Sequence, residues 1–80
     1  MSVQFIFNQD ETEAINLSKI IKIKTVPEVK WDSAQPGIGN FTETGKVYLK
    51  GIDKDDVIAI FGLFRNASEA WAWFKVARRF

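Results

Sequence analysis

Eighty residues with 46% apolar and 26% charged side chains and a net charge of +1 describe one small globular domain, residues 1–80, and exclude attraction to nucleic acid or an anionic membrane by bulk charge. Histidine and cysteine are both absent. Serine–histidine and cysteine–histidine nucleophiles, the usual zinc sites and disulfides are therefore excluded at the outset.

Met1 to Asn8 alternates, with Val3, Phe5 and Phe7 on one side and Gln4, Ile6 and Asn8 on the other. That pattern predicts a strand burying its Phe face. Gln9 to Glu13 is a polar turn. Two periodicities compete from Ala14 to Val26. As strand, Ile21, Ile23 and Thr25 face in while Lys22 and Lys24 face out; as helix, Ala14, Leu17 and Ile21 line one stripe behind an Asp10/Glu13 capping pair. The β-branched density after Ile20 favours strand.

Pro27 interrupts, and Val29 and Trp31 suit a short edge strand. Asp32 to Gly45 is then a long connection punctuated by Pro36-Gly37, or it is partly a hairpin folding Asn40–Glu43 onto Lys46–Lys50 about Thr44-Gly45. Lys46 to Lys50 alternates, Val47 and Leu49 inward, the lysines and Tyr48 outward. After the acidic turn Asp53–Asp56, the apolar run from Val57 to Phe64 predicts a central strand buried on both faces, Val57, Ala59, Phe61 and Leu63 on one side and Ile58, Ile60 and Phe64 on the other. Asn66 and Glu69 mark a capping box for a helix over Ala67–Arg79. Its main apolar face is Ala67, Ala70, Trp71, Phe74 and Ala77, flanked by Trp73, Val76 and Phe80. Arg78 and Arg79 suit its negative end.

This order predicts an α+β domain: a small antiparallel, meander-like β-sheet of about four to six strands with one C-terminal α-helix packed on one face.

Little chemistry is legible. Asp53, Asp55 and Asp56, and likewise Asp10, Glu11 and Glu13, are carboxylate clusters in turns, where acids are ordinarily solvated. Asp53 and Asp55 lack the glycine and terminal glutamate of a calcium loop. Gly37-x-Gly39 neither follows a firm strand nor opens a helix, which rules against a phosphate cradle. No catalytic residue, cofactor site or metal site is predicted.

Two surfaces remain. The first is apolar and surplus to one sheet face: Trp73, Val76 and Phe80 beside the helix, with Ile38 and Phe41 in the 32–45 connection. The second is a lysine series, Lys22, Lys24, Lys46 and Lys50 with Tyr48 among them, a candidate single-strand nucleic-acid platform or simply a solvated face that discourages edge pairing. The expectation is a non-enzymatic interaction module, an adaptor or inhibitor-type domain that binds another protein or a second copy of itself. Nucleic-acid binding through the lysines is the alternative, and a structural domain of no separable activity comes third. With no apolar run near the roughly 20 residues that span a bilayer and no leader-like N-terminus, no membrane partner and a cytoplasmic setting are expected.

Overall fold

The computed structural model describes residues 4–35 and 38–80, apart from the side chains of residues 32–38. Its strands are β1 (Phe5–Phe7), β2 (Ala14–Asn16), β3 (Lys22–Gln35), β4 (Ile38–Asp53) and β5 (Asp56–Phe64), followed by helix α1 (Ala67–Val76). A single 3-10 turn, Leu17–Lys19, joins β2 to β3. Residues 14–24 are thus strand, one tight turn, and strand again.

The strands divide into two antiparallel sheets, not the single sheet of four to six that the sequence suggests. β3-β4-β5 is a three-stranded meander, and β1-β2 is a two-stranded hairpin. The hairpin is completed by the chain's end. The Phe5 amide donates to the Phe80 carbonyl (2.7 Å), the Phe80 amide returns the bond (2.9 Å), and the Phe7 amide donates to the Arg78 carbonyl (3.0 Å). A two-stranded ribbon is marginal in water, and this third segment supplies the missing pairing.

The core lies between the meander and α1. Leu49, Phe61 and Phe64 from the sheet meet Ala70 from the helix and Ile6 from β1, with Ile23, Val47, Trp73, Phe74 and Ala77 packed around them. Ile6, expected outside, is fully buried, and the flanking Phe5 and Phe7 are half-buried. Both faces of β1 are covered because the tail stacks Phe80 on Phe5 and Phe7, at ring-centroid distances of 5.4 and 5.2 Å.

The run from 57 to 64 is a strand, but an edge strand; β4 is the centre of the meander. Two bulges, at Ile58 and Phe61, each oppose one residue of β4 with two of β5. They reset the alternation, so Phe61 and Phe64 both reach the core while Val57, Ile58 and Ile60 stay about half exposed. The bulges also blunt the free edge. Gln9 blocks it further: its amide donates to the Phe61 carbonyl (2.7 Å), and its side-chain oxygen accepts from the Leu63 amide (3.1 Å). A Cβ at Gly62 would collide with the Gln9 side chain, so the glycine is what admits this plug.

α1 starts where its cap predicts, with the Asn66 side chain accepting from the Glu69 amide at 2.8 Å. The reciprocal half of the capping box gives way to an exposed Arg65–Glu69 ion pair at 3.3 Å. The helix ends at Val76 rather than Arg79, and Arg79 folds back to donate to the Phe74 carbonyl (2.7 Å) and the Ala77 carbonyl (3.2 Å). Those are carbonyls that a helix end leaves without partners. Among the described residues, no helix is long and apolar enough to cross a membrane.

Candidate interaction surfaces

The predicted 32–45 connection is mostly strand. β3 and β4 run on past the core as a long hairpin, with Val29 opposite Glu43, Lys30 opposite Thr42, Trp31 opposite Phe41 and Asp32 opposite Asn40. Asn40–Glu43 therefore pairs with the end of β3, not with Lys46–Lys50. The turn at Pro36-Gly37 lies outside the described residues. Among the described residues, no side chain from Glu28 to Lys46 belongs to the core cluster. This arm stretches the molecule to 55 × 24 × 21 Å, with a radius of gyration of 15.1 Å. A compact chain of this length would have about 12 Å.

The arm carries an aromatic pair. Trp31 and Phe41 face each other across the strands with centroids 4.9 Å apart in an edge-on arrangement. The indole lies across Gly39, where any Cβ would run into the ring. A glycine on a sheet covered by a cross-strand aromatic is a favourable local packing, and the ring pair adds about 0.5–1.5 kcal/mol. Even so, Trp31 remains 57% exposed and Phe41 72% exposed, with Val29 beside them also exposed.

A register irregularity between Pro27 and Val29 marks the base of the arm. There Glu28, only 9% exposed, accepts hydrogen bonds from the Thr44 hydroxyl (2.7 Å) and the Tyr48 hydroxyl (3.3 Å). The Thr44 bond lowers the Glu28 pKa most. Burial opposes it, and the Tyr48 hydroxyl and the charges of Lys30 and Lys46 add to the lowering. The net displacement is below the ordinary carboxylate value. A depressed folded-state pKa stabilises the native state above the ordinary value, and that contribution disappears as pH falls through the folded one. Wild type is therefore expected to exceed Glu28→Gln in thermal midpoint near neutral pH and to lose that margin below about pH 4.5. Parallel melting curves of the two proteins across that range check it; a constant margin would show that Glu28 does not clamp the arm as a carboxylate.

The apolar residues expected to form one patch are dispersed. Trp73 belongs to the core's edge, its ring 5.3 Å from Phe64 and 6.3 Å from Phe61. Phe80 is occupied on one side by β1 and exposed on the other. Val76, 82% exposed, stands alone on the last helical turn, and Phe41 lies on the arm. The Ile38 side chain falls outside the described residues. Trp31, which sequence reasoning treated as part of a short edge strand, is the missed member. Its signal was a strand-like stretch on each side of Pro36-Gly37, but the register shift between Asp32 and Gln35 that sets Trp31 opposite Phe41 was not legible.

The lysines fare differently. The face of the meander away from α1 holds three cross-strand rows, Lys22–Ile52–Val57, Lys24–Lys50–Ile60 and Val26–Tyr48–Leu63. Lys22, Lys24, Tyr48 and Lys50 do share one surface. The Lys50 ammonium sits 5.1 Å from the centre of the Tyr48 ring. Lys46 lies further toward the arm, where its charge acts on Glu28.

Among the described residues, no group of three or more carboxylates gathers as a metal-binding set. A cleft of about 510 Å³ opens between β2 and β5, lined by Glu13, Ile15, Lys19, Ile58 and Ala59 among others. Compared with protein-family models, with curated proteins and with solved structures, the chain matches none of them.

Proposed function

We propose that this chain is a small non-enzymatic interaction module that engages another protein through the β3–β4 arm, with Trp31 and Phe41 as anchors. The observation that carries this reading is the placement of two large aromatics, preorganised against each other, on a projection whose described side chains lie outside the core cluster. Rigid exposed aromatics are the side chains from which interface centres are built. The arm's charge argues for a protein surface over nucleic acid. Residues 28–46 hold Glu28, Asp32 and Glu43 against Lys30 and Lys46, a slight negative excess. The C-terminal helix flank plays a smaller part, since only Val76 of that set is fully presented to solvent.

The test is the double variant Trp31→Ala/Phe41→Ala. Its thermal midpoint is expected to stay within a few degrees of wild type, because neither ring supports the core. Association is expected to weaken at least about a hundredfold, as for two central aromatic anchors. Sedimentation reads self-association, and capture from nuclease-treated lysate by wild type and variant side by side reads other partners. Identical species captured by both proteins would sink the reading, as would capture that vanishes with nuclease.

A further inference from the structure

The geometry points to a second binding surface, independent of the arm: the outer face of the meander takes an acidic amphipathic helix from a protein partner. Lys24 and Lys50 are direct cross-strand neighbours, and like charges in that position destabilise a sheet. Lys22 lies on the same face one row away, about 7 Å along the strand. Among the described residues, no carboxylate forms an ion pair with any of the three. A positive cluster built into a sheet face without an internal counter-charge is complementary to an anion supplied from outside.

The neighbours of the cluster define which anion. Moving from β3 to β5 across the sheet, the rows change from lysine to aliphatic: Lys24, Lys50, then Ile60; Lys22, Ile52, then Val57. Ile60 and Val57 are about half exposed, whereas Ile52 is buried, so the aliphatic groups presented are those of β5. Adjacent strands are about 4.8 Å apart, so the basic strip and the aliphatic strip together are as wide as one helix, about 10 Å. A helix with leucines along one face and glutamates on its flank matches both strips at once. Single-stranded nucleic acid matches only the first. Its bases need a free aromatic plane, and the one aromatic here, Tyr48, already has Lys50 over its ring and its hydroxyl held by Glu28.

The experiment titrates the full chain into a labelled synthetic peptide of about five helical turns, leucine on one face and glutamate beside it, and reads fluorescence anisotropy. Lys24→Glu/Lys50→Glu is expected to weaken binding at least about tenfold, and Ile60→Ser by about threefold to tenfold. Lys24→Glu alone keeps the fold assayable, since it replaces a repulsion across the strands with an attraction. Trp31→Ala/Phe41→Ala is expected to leave this binding unchanged, which separates this surface from the arm. Four results would overturn the proposal: no binding of the peptide, binding indifferent to the lysine reversals, binding indifferent to Ile60→Ser, or preference for oligothymidylate or phosphatidylserine vesicles over the peptide.

Discussion

Replacing Phe61 with alanine is expected to cost about 3–5 kcal/mol, a large share of the domain's stability. A chain of this length is stable by only about 4–12 kcal/mol. Phe61 is fully buried, and it meets Phe74 edge-on at 5.8 Å and Trp73 at 6.3 Å, so it joins the meander to α1. It is also a bulge residue, held over the core by an irregular backbone into which neighbouring side chains cannot easily collapse. Part of the cost is thus the cavity left behind. Urea unfolding followed by tryptophan fluorescence measures the loss, because Trp73 rests on this ring. A loss below about 1 kcal/mol would mean that the helix and sheet are not joined here. Phe41→Ala serves as the contrast: an equally large ring on the exposed arm, with an expected stability change of about 1 kcal/mol or less.

Deleting Arg78–Phe80 is expected to destabilise the domain by about 2–4 kcal/mol and to expose β1 to exchange. The deletion removes three backbone hydrogen bonds to Phe5 and Phe7, the stacking of Phe80 on both rings, and the Arg78 guanidinium 4.9 Å above the Phe7 ring. It also strips the Arg79 donors from the Phe74 and Ala77 carbonyls. β1 and β2 would then stand as an isolated ribbon carrying Ile6, a core residue. Hydrogen exchange at the Phe5 and Phe7 amides reads the effect directly, against unchanged protection at Leu49 in the central strand. Persistent protection of both Phe amides after the deletion would refute the tail's role as a third strand. Loss of that protection would assign Phe80 to the fold and leave the arm and the outer sheet face as the two proposed binding surfaces.

Local chemistry settled a good deal without tertiary information. The alternation at Lys46–Lys50, the acidic turn at Asp53–Asp56 and the Asn66 cap are all short-range signals, and each element forms where those signals place it. The strand periodicity at Lys22–Thr25 likewise put Lys22 and Lys24 outward, and the alternation at Lys46–Lys50 put Lys50 outward; that the three share one face was decided by the pairing of β3 with β4. Absence of histidine and cysteine narrowed the chemistry by composition alone.

Pairing partners are a different kind of fact. Whether Phe41 belongs to a loop, folds back on Lys46–Lys50 or crosses to Trp31 depends on which hairpin closes, and Thr44-Gly45 and Pro36-Gly37 are both plausible turns in one dimension. The strand pairing decided it: β3 pairs with β4 from Lys22 opposite Ile52 to Gln35 opposite Ile38, which sets Phe41 opposite Trp31. The bulges at Ile58 and Phe61 were equally invisible, since an inserted residue changes the facing of its neighbours without changing their composition. That is why Phe64 turned inward and Ile60 outward against simple alternation. Ile6 was misplaced for a related reason: its strand alternates as if only the Phe face were buried, but Ile6 packs into the core with Leu49, Phe61 and Phe64 while Phe80 of the tail covers the Phe5/Phe7 face. Sequence placed most of the strands outside residues 32–45 and the start of the helix; the long-range pairings of β3 with β4 and of residues 78–80 with β1 decided which side chains stay exposed.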